Sequence, residues 1–345
     1  MSGDESELSA RGRARREHGA RVEEPVAVWT EKEHLMGKVA ETGVVILRTS
    51  GCAHAASGAC TMCGYNIESV RGAGADDLSA QFAKAVEGLG DVELLKVYTS
   101  GSFLDDREVP AEAARTILDW CRERGTGLLV ESRAEFVTEE SVGALTGVHD
   151  DIEVAIGLES ANDKVLKYSI NKNMTVADYD RAASTVKRSG GKLRSYVLLK
   201  PPFLTEAEAV EDAIAAARHA ALQSDTISLN PVNIQKGTLV ERLWKVWAYR
   251  SPWLWSVVEV LNACASLDRK VVCDPTGGGK ERGAHNCGGC DGAILDSIKD
   301  HSLAQSRSAL KTPECDCHDL WQTVMELEGF TVGGTCDLQR FFRAP

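Results

Sequence analysis

The sequence predicts an α/β fold built on a parallel sheet, followed by a small cysteine-rich metal module. Three observations lead there. Short apolar runs alternate with amphipathic helical stretches from about residue 26 to 265. The apolar runs are continuous rather than alternating, as in strands covered on both faces. Cysteine density then rises beyond residue 270. Candidate strands are 44–47, 92–98, 127–131, 153–158, 193–199 and 226–229. Candidate helices are 76–89, 111–124, 206–222 and 239–247, with a terminal helix near 320–327. Strand–helix alternation gives right-handed crossovers. Six such units fit an open sheet and a partial barrel equally well, and in both the functional groups gather at the carboxyl ends of the strands.

A chain of 345 residues is long enough for one large domain and an appendage. The reading divides it into a polar tail at 1–25, a main domain at 26–265 and a cysteine-rich module with its terminal helix at 266–345. The tail is expected to be disordered. Its basic stretch Arg11-Gly12-Arg13-Ala14-Arg15-Arg16 reads first as a solvated segment and second as an arm that touches phosphates. No run approaches the ~18 apolar residues of a membrane span, and the start of the chain lacks the apolar core of a secretory signal. A cytoplasmic protein is therefore expected. In a reducing compartment the eleven cysteines are metal ligands or packing residues rather than disulfides. Cys121, Cys264 and Cys336 stand apart and read as packing. The net charge of −12 argues against non-specific nucleic-acid binding by the whole surface but leaves room for local basic patches.

Cys52, Cys60 and Cys63 carry the strongest chemical signal. They lie in a loop directly after the run Val44-Val45-Ile46-Leu47. Three thiolates at a strand end can hold three irons of a four-iron cluster and leave the fourth iron open for a ligand. The competing reading is a zinc knot completed by His54. A cysteine trio after a first barrel strand resembles the radical S-adenosylmethionine (SAM) enzymes, and the resemblance spans roughly residues 40–260. It implies a partial (β/α)6 barrel with a [4Fe-4S] cluster on Cys52, Cys60 and Cys63. In the common form of that family three residues separate the first two cysteines; here seven do, Ala53 to Ala59. Met62 occupies a position that is often aromatic, and Tyr65 is expected to supply the ring instead.

Other segments extend the resemblance. Thr99-Ser100-Gly101-Ser102-Phe103 resembles the small-residue loop whose backbone binds the amino group of SAM. Glu131-Ser132-Arg133 ends the third candidate strand, and Gly157-Leu158-Glu159-Ser160 ends the fourth. With Lys172, this last segment resembles the ribose- and carboxylate-binding stretch of tRNA-modifying members. Lys172 also reads as a plain surface lysine. For Glu131 and Glu159 that bland reading is weaker, because an unpaired charge ending an apolar strand is costly. The implied chemistry is one-electron cleavage of SAM to a 5′-deoxyadenosyl radical, which takes a hydrogen atom from the substrate.

Three further stretches narrow the branch. They are Tyr196-Val197-Leu198-Leu199-Lys200-Pro201-Pro202-Phe203, Leu229 to Thr238, and Trp244 to Trp255. With Arg282-Gly283-Ala284-His285-Asn286-Cys287-Gly288-Gly289-Cys290-Asp291, they resemble the radical SAM subunits of archaeosine synthase, an Elongator-like group. That resemblance implies a tRNA substrate bearing a lysine adduct of 7-cyano-7-deazaguanine in the D-loop. It implies an α-subunit partner that attaches the lysine, and radical cleavage of the lysine carbon–nitrogen bond to leave the formamidine of archaeosine. Lys200, Asn233 and Gln235 are expected to face SAM and hold the substrate, with loop capping as the alternative. Trp244, Trp247, Trp253 and Trp255 are read as barrel packing in preference to base stacking.

Cys287, Cys290, Cys315 and Cys317 form two tight pairs suited to a structural zinc. Cys273, His285 and His318 are spare ligands, and a second iron–sulfur cluster is the rival reading. Arg269, Lys270, Lys280 and Arg282 give the module a basic neighbourhood that could meet tRNA. The alternatives to this function are another radical SAM tRNA enzyme, such as a methylthiolase or an Elongator-type acetyltransferase, and a non-enzymatic zinc protein that binds RNA or a partner. The chain has little room for the extra domains of the first two.

Overall fold

The computed structural model describes residues 22–328. Eight strands form one sheet in sequence order. They are β1 (Ala27–Leu35), β2 (Lys38–Ile46), β3 (Leu94–Tyr98), β4 (Gly127–Ser132), β5 (Ile152–Glu159), β6 (Lys192–Leu199), β7 (Thr226–Pro231) and β8 (Lys270–Cys273). β1 pairs antiparallel with β2, and every later pairing is parallel. The helices are α1 (Ala75–Glu87), α2 (Ala111–Arg124), α3 (Glu139–Thr146), α4 (Val176–Arg188), α5 (Glu206–Ala220), α6 (Leu239–Lys245), α7 (Leu254–Cys264), α8 (Asp291–Ala304) and α9 (Cys317–Glu328). This is an α/β partial barrel, as expected from the sequence, with β2 to β7 as the six expected strands.

The sheet has two unlike faces. Leu95, Val97, Leu128, Val130, Val154, Ile156, Leu193 and Val197 point outward and pack under the helices in one continuous apolar core. The inner face alternates with it, as strand geometry requires. It holds a small apolar layer of Leu94, Leu129 and Ala155, flanked by Tyr98 and Tyr196. In register with that layer, where Lys96 and Glu153 flank Leu129 and Arg194 lies beside Ala155, is a buried ion network. Glu33 on β1 accepts from Arg194 on β6 at 2.5 Å and from Lys270 on β8 at 2.9 Å, and it also pairs with Lys96 on β3. Arg194 pairs in turn with Glu153 on β5 at 3.1 Å. One carboxylate thus ties together strands from both edges of an unclosed barrel.

Two strands go beyond the sequence reading. β1 reads as a polar segment, because Glu31 and Glu33 face the ion network rather than an apolar layer. Its hairpin turn uses Met36 (φ 46°) and Gly37 (φ 82°), and two consecutive positive φ values suit the strand twist. β8 has only four residues, lies past residue 265 and continues the sheet into the stretch assigned to the carboxyl-terminal module. Cys336 and the basic stretch 11–16 lie outside the described residues. Among the described residues no helix is long and apolar enough to cross a membrane.

Candidate active site and metal centre

The loop after β2 carries Cys52, Cys60 and Cys63, all half-buried, and it is fixed from several directions. The Thr49 hydroxyl donates to Glu108 Oε1 at 2.7 Å, and the Ser102 amide donates to Glu108 Oε2 at 2.7 Å. Glu108 is buried and joins the loops after β2 and β3. The long Ala53–Ala59 insertion is held against a helical turn at Val165–Ile170. The Thr61 amide donates to Ile170 O at 2.9 Å, and Asn171 donates to Ala59 O at 2.8 Å. His54 Nε2 bonds Asn171 O at 2.7 Å, while its buried Nδ1 has no partner.

Among the described residues, no one-ion ligand group forms around Cys52, Cys60 and Cys63. A zinc knot with His54 is therefore not built. A four-iron cube takes each thiolate on a different iron and spaces them wider than a single ion does. Burial pushes the Cys63 thiol up to about 11, with Cys60 and Cys52 adding to the rise, and burial likewise raises Cys60. A metal held on Cys60 and Cys63 would have to displace their protons.

The expected ligand-binding groups lie around this loop. Lys172 Nζ pairs with Glu159 Oε1 at 2.6 Å, and both are buried. The lysine is not the surface residue of the bland reading. Burial works against its charge, yet Glu159 and Cys60 hold its ammonium above the ordinary value. Glu159 has φ 65° at an irregularity in the β5–β6 register. A Cβ on Gly157 would lie 2.2 Å from Glu159 Oε1 and 2.4 Å from Lys172 Nζ, so only glycine leaves space for the pair. Gly101 repeats this logic. A Cβ there would lie 2.7 Å from Cys52 Cα and 2.6 Å from Glu108 Oε2. The Gly101 amide donates to Thr99 Oγ1 at 3.3 Å, and Ser69 donates to Ser100 Oγ at 3.2 Å. Burial pushes Glu131 up to about 7; Tyr196 opposes the rise by donating a hydrogen bond, while Glu159 and Glu108 add to it.

Other residues singled out by sequence have different partners. The Ser160 hydroxyl is buried and donates to Asp212 at 2.7 Å, on the helix side of the sheet. Lys200 pairs with Glu206 of α5 at 2.5 Å. The same Glu206 accepts from Ser256 Oγ at 2.6 Å and from the Trp253 amide at 2.8 Å. Gln235 Oε1 accepts from the Gly64 amide at 2.5 Å, and the Tyr65 hydroxyl bonds the same glutamine. Gln235 thus clamps the cysteine loop. Asn233 is half-buried, and a Cβ on Gly277 would stand 3.5 Å from its Oδ1. The packing expectation for the tryptophans is met by Trp253 and Trp255, at 7% and 4% exposure, but not by Trp247 at 89%. Trp244 lies under the Arg282 guanidinium at 4.6 Å. Arg269 and Lys270 line a groove below the barrel with Lys187 and Arg307, and Lys270 is bound to Glu33. Glu108 carries no sequence signal, because it sits in a charge run (Asp105-Asp106-Arg107-Glu108) that reads as solvated surface.

The second cysteine cluster converges. The Sγ atoms of Cys287, Cys290, Cys315 and Cys317 all lie within 4.8 Å of one another. Their closest approaches are 3.4–3.9 Å. Four thiolates at the ~2.3 Å bond length of zinc stand about 3.8 Å apart on a tetrahedron. Gly288, at φ 87°, makes the knuckle turn. Asn286 donates to Cys290 Sγ at 3.4 Å and the Trp255 indole to Cys317 Sγ at 3.2 Å. Such outer hydrogen bonds orient ligating sulfurs. Backbone amides of Cys290 and Gly289 lower the Cys287 thiol to about 7. Cys273 lies apart on β8 and is buried, so it is not one of this group.

No protein-family model matches the chain. Archaeosine synthase subunit beta from Methanosarcina acetivorans is 42% identical over 319 residues, covering 90% of this chain and 92% of that protein. The subunit of the same name from Thermococcus kodakarensis is 38% identical over 310 residues, covering 86% and 96%. Among solved structures, a radical SAM methyltransferase from Sphaerobacter thermophilus matches at a TM-score of 0.48, with 13% identity over 76% of this chain and 77% of that one. With two such relatives aligned over nearly their whole length, the chain belongs to the archaeosine synthase subunit beta family.

Proposed function

We propose that this radical SAM enzyme acts in tRNA modification as a lyase. It cleaves the lysine carbon–nitrogen bond of a lysine-adducted 7-cyano-7-deazaguanine in the D-loop, leaving the formamidine of archaeosine. An α subunit that transfers the lysine is its partner. The observation that carries the reading is the Lys172–Glu159 pair beside Cys60, under a loop of three thiols that are too dispersed for one ion.

The donor set fits a [4Fe-4S] cluster on Cys52, Cys60 and Cys63 with SAM beside it. When bound, these groups supply a one-electron reductant and a source of the 5′-deoxyadenosyl radical. The chain's own residues position and enclose them. Gly101 and Gly157 keep side chains out of the cradle, where a Cβ would lie under 3 Å from its neighbours. The Lys172 ammonium suits a carboxylate, and Glu159 suits ribose hydroxyls once Lys172 has another anion to meet. Thr99, Ser100, Gly101 and Ser102 offer backbone groups at the end of β3, while Tyr65 and Glu131 close the sides. Lys200 and Asn233 mark the substrate side at the ends of β6 and β7. Gln235 supports the cysteine loop in preference to touching substrate. Cys287, Cys290, Cys315 and Cys317 hold a structural zinc that anchors α9 on α7.

The test is anaerobic. Reconstituted protein, SAM, a reductant and lysine-adducted tRNA should yield 5′-deoxyadenosine and archaeosine by mass spectrometry. Absence of 5′-deoxyadenosine with iron-loaded protein would sink the enzymatic reading. Formation of 5′-deoxyadenosine without archaeosine would sink the substrate.

A further inference from the structure

Trp247 is the most exposed large apolar side chain among the described residues, at 89%. Its backbone has φ 63°, a left-handed conformation that disfavours any residue but glycine. Its amide donates to Trp244 O at 3.0 Å, closing the last turn after α6. The chain therefore uses a strained turn to hold an indole in solvent. Val246 beside it is 69% exposed.

The position relates directly to the site. The Val240 amide, at the start of α6, donates to Thr61 O of the cysteine loop at 3.2 Å. α6 has seven residues, or roughly 10 Å of helix. Trp247 thus stands about one short helix from the cysteine loop. Ile67 of the same loop is 59% exposed and lies against Gly237, just before α6.

The surrounding charge is cationic on an acidic chain. Residues 236–250 contain Lys236, Arg242, Lys245 and Arg250, and a single acidic residue, Glu241. Glu241 is fully engaged. Its Oε2 accepts from the Gly237 amide at 2.9 Å and pairs with Lys245 at 3.3 Å, and its Oε1 pairs with Arg282 at 2.8 Å. Lys236, Arg242 and Lys245 are exposed. A lone ring among cations suits a strand of bases and phosphates better than an apolar protein face, since any base can stack on it while cations meet the backbone.

We propose that Trp247 is a stacking platform for a base of the substrate RNA, with Lys236, Arg242 and Lys245 contacting its phosphates. This rests on the tRNA reading above. The test measures binding of a fluorescein-labelled tRNA transcript to the full-length, iron-loaded chain by anisotropy across a salt series. Trp247→Ala is expected to weaken binding about tenfold and to leave the salt slope unchanged. Trp247→Phe restores most of the affinity. Arg242→Ala and Lys245→Ala each reduce the salt slope by about one. The melting temperature and metal content of Trp247→Ala match wild type, because the ring buries almost nothing. Equal affinity for Trp247→Ala and wild type overturns the platform alone. So does a loss confined to association with a partner protein. A wild-type chain that binds no tRNA transcript overturns the tRNA reading and the platform together.

Discussion

Glu131 shows what burial does to a single residue at this site. Its carboxyl rises from an ordinary value of 4.5 to about 7. Between those values the native protein holds a proton that the unfolded chain has released. Stability therefore falls as pH climbs from about 4.5 to 7 and levels off above. Glu131→Gln should abolish that fall and make the iron-free protein more stable than wild type at pH 8. Denaturant midpoints across the range decide it, and parallel curves for the two proteins would refute the assignment. At this scale the sequence marks candidate residues without showing their partners. Cys52, Cys60, Cys63, Glu131 and Glu159 declare themselves because each follows or ends an apolar strand. The partners of Glu108, Ser160 and Gln235 do not show, because they lie far off along the chain. Glu108 braces Thr49, 59 residues earlier, and Gln235 reaches Gly64, 171 residues earlier. No local pattern encodes such pairings.

Among the elements, some helices with one apolar face were legible, while others such as α4 (Val176–Arg188) went unread. The reading of 111–124 coincides with α2 (Ala111–Arg124), and 206–222 overlaps α5. β1 was hidden because its inward residues are charged, and β8 because four residues carry too little pattern. The two cysteine pairs were legible as a metal site, but not the way their module is attached. His318 lies between Trp255 and Trp321, with ring centroids 4.9 and 5.3 Å away. The Trp321 indole donates to Ser256 on α7 at 2.9 Å. The proposed zinc therefore sits where α8 and α9 meet α7. Cys290→Ser or Cys317→Ser should reduce bound zinc from about one per chain to none and change the near-ultraviolet tryptophan signal, while iron bound at Cys52–Cys63 is retained. Elemental analysis reads this directly; iron lost in proportion to the mutated cysteine would favour a second cluster instead.

For the molecule as a whole, the buried ion network takes the place of the missing closure between β1 and β8. Burial opposes the charge of Glu33, but Arg194, Lys96 and Lys270 together hold its carboxyl far below the usual range. A depressed carboxylate gives stability that is present above its unfolded value and lost as pH falls through the native one. Glu33→Ala leaves Lys270 without a carboxylate and Lys96 and Arg194 with only Glu31 and Glu153, and should destabilise the protein by about 3–5 kcal/mol, measured by chemical denaturation at neutral pH. A cost under about 1 kcal/mol would mean that the edges hold together without it. Gln235 has a different reach. It fastens the segment leading into α6 to the backbone beside Cys63, so the proposed cluster and the proposed RNA platform would share one mechanical element. Thermodynamic reciprocity then applies: if a filled cluster tightens the grip on RNA, bound RNA slows the departure of iron by an equal free energy.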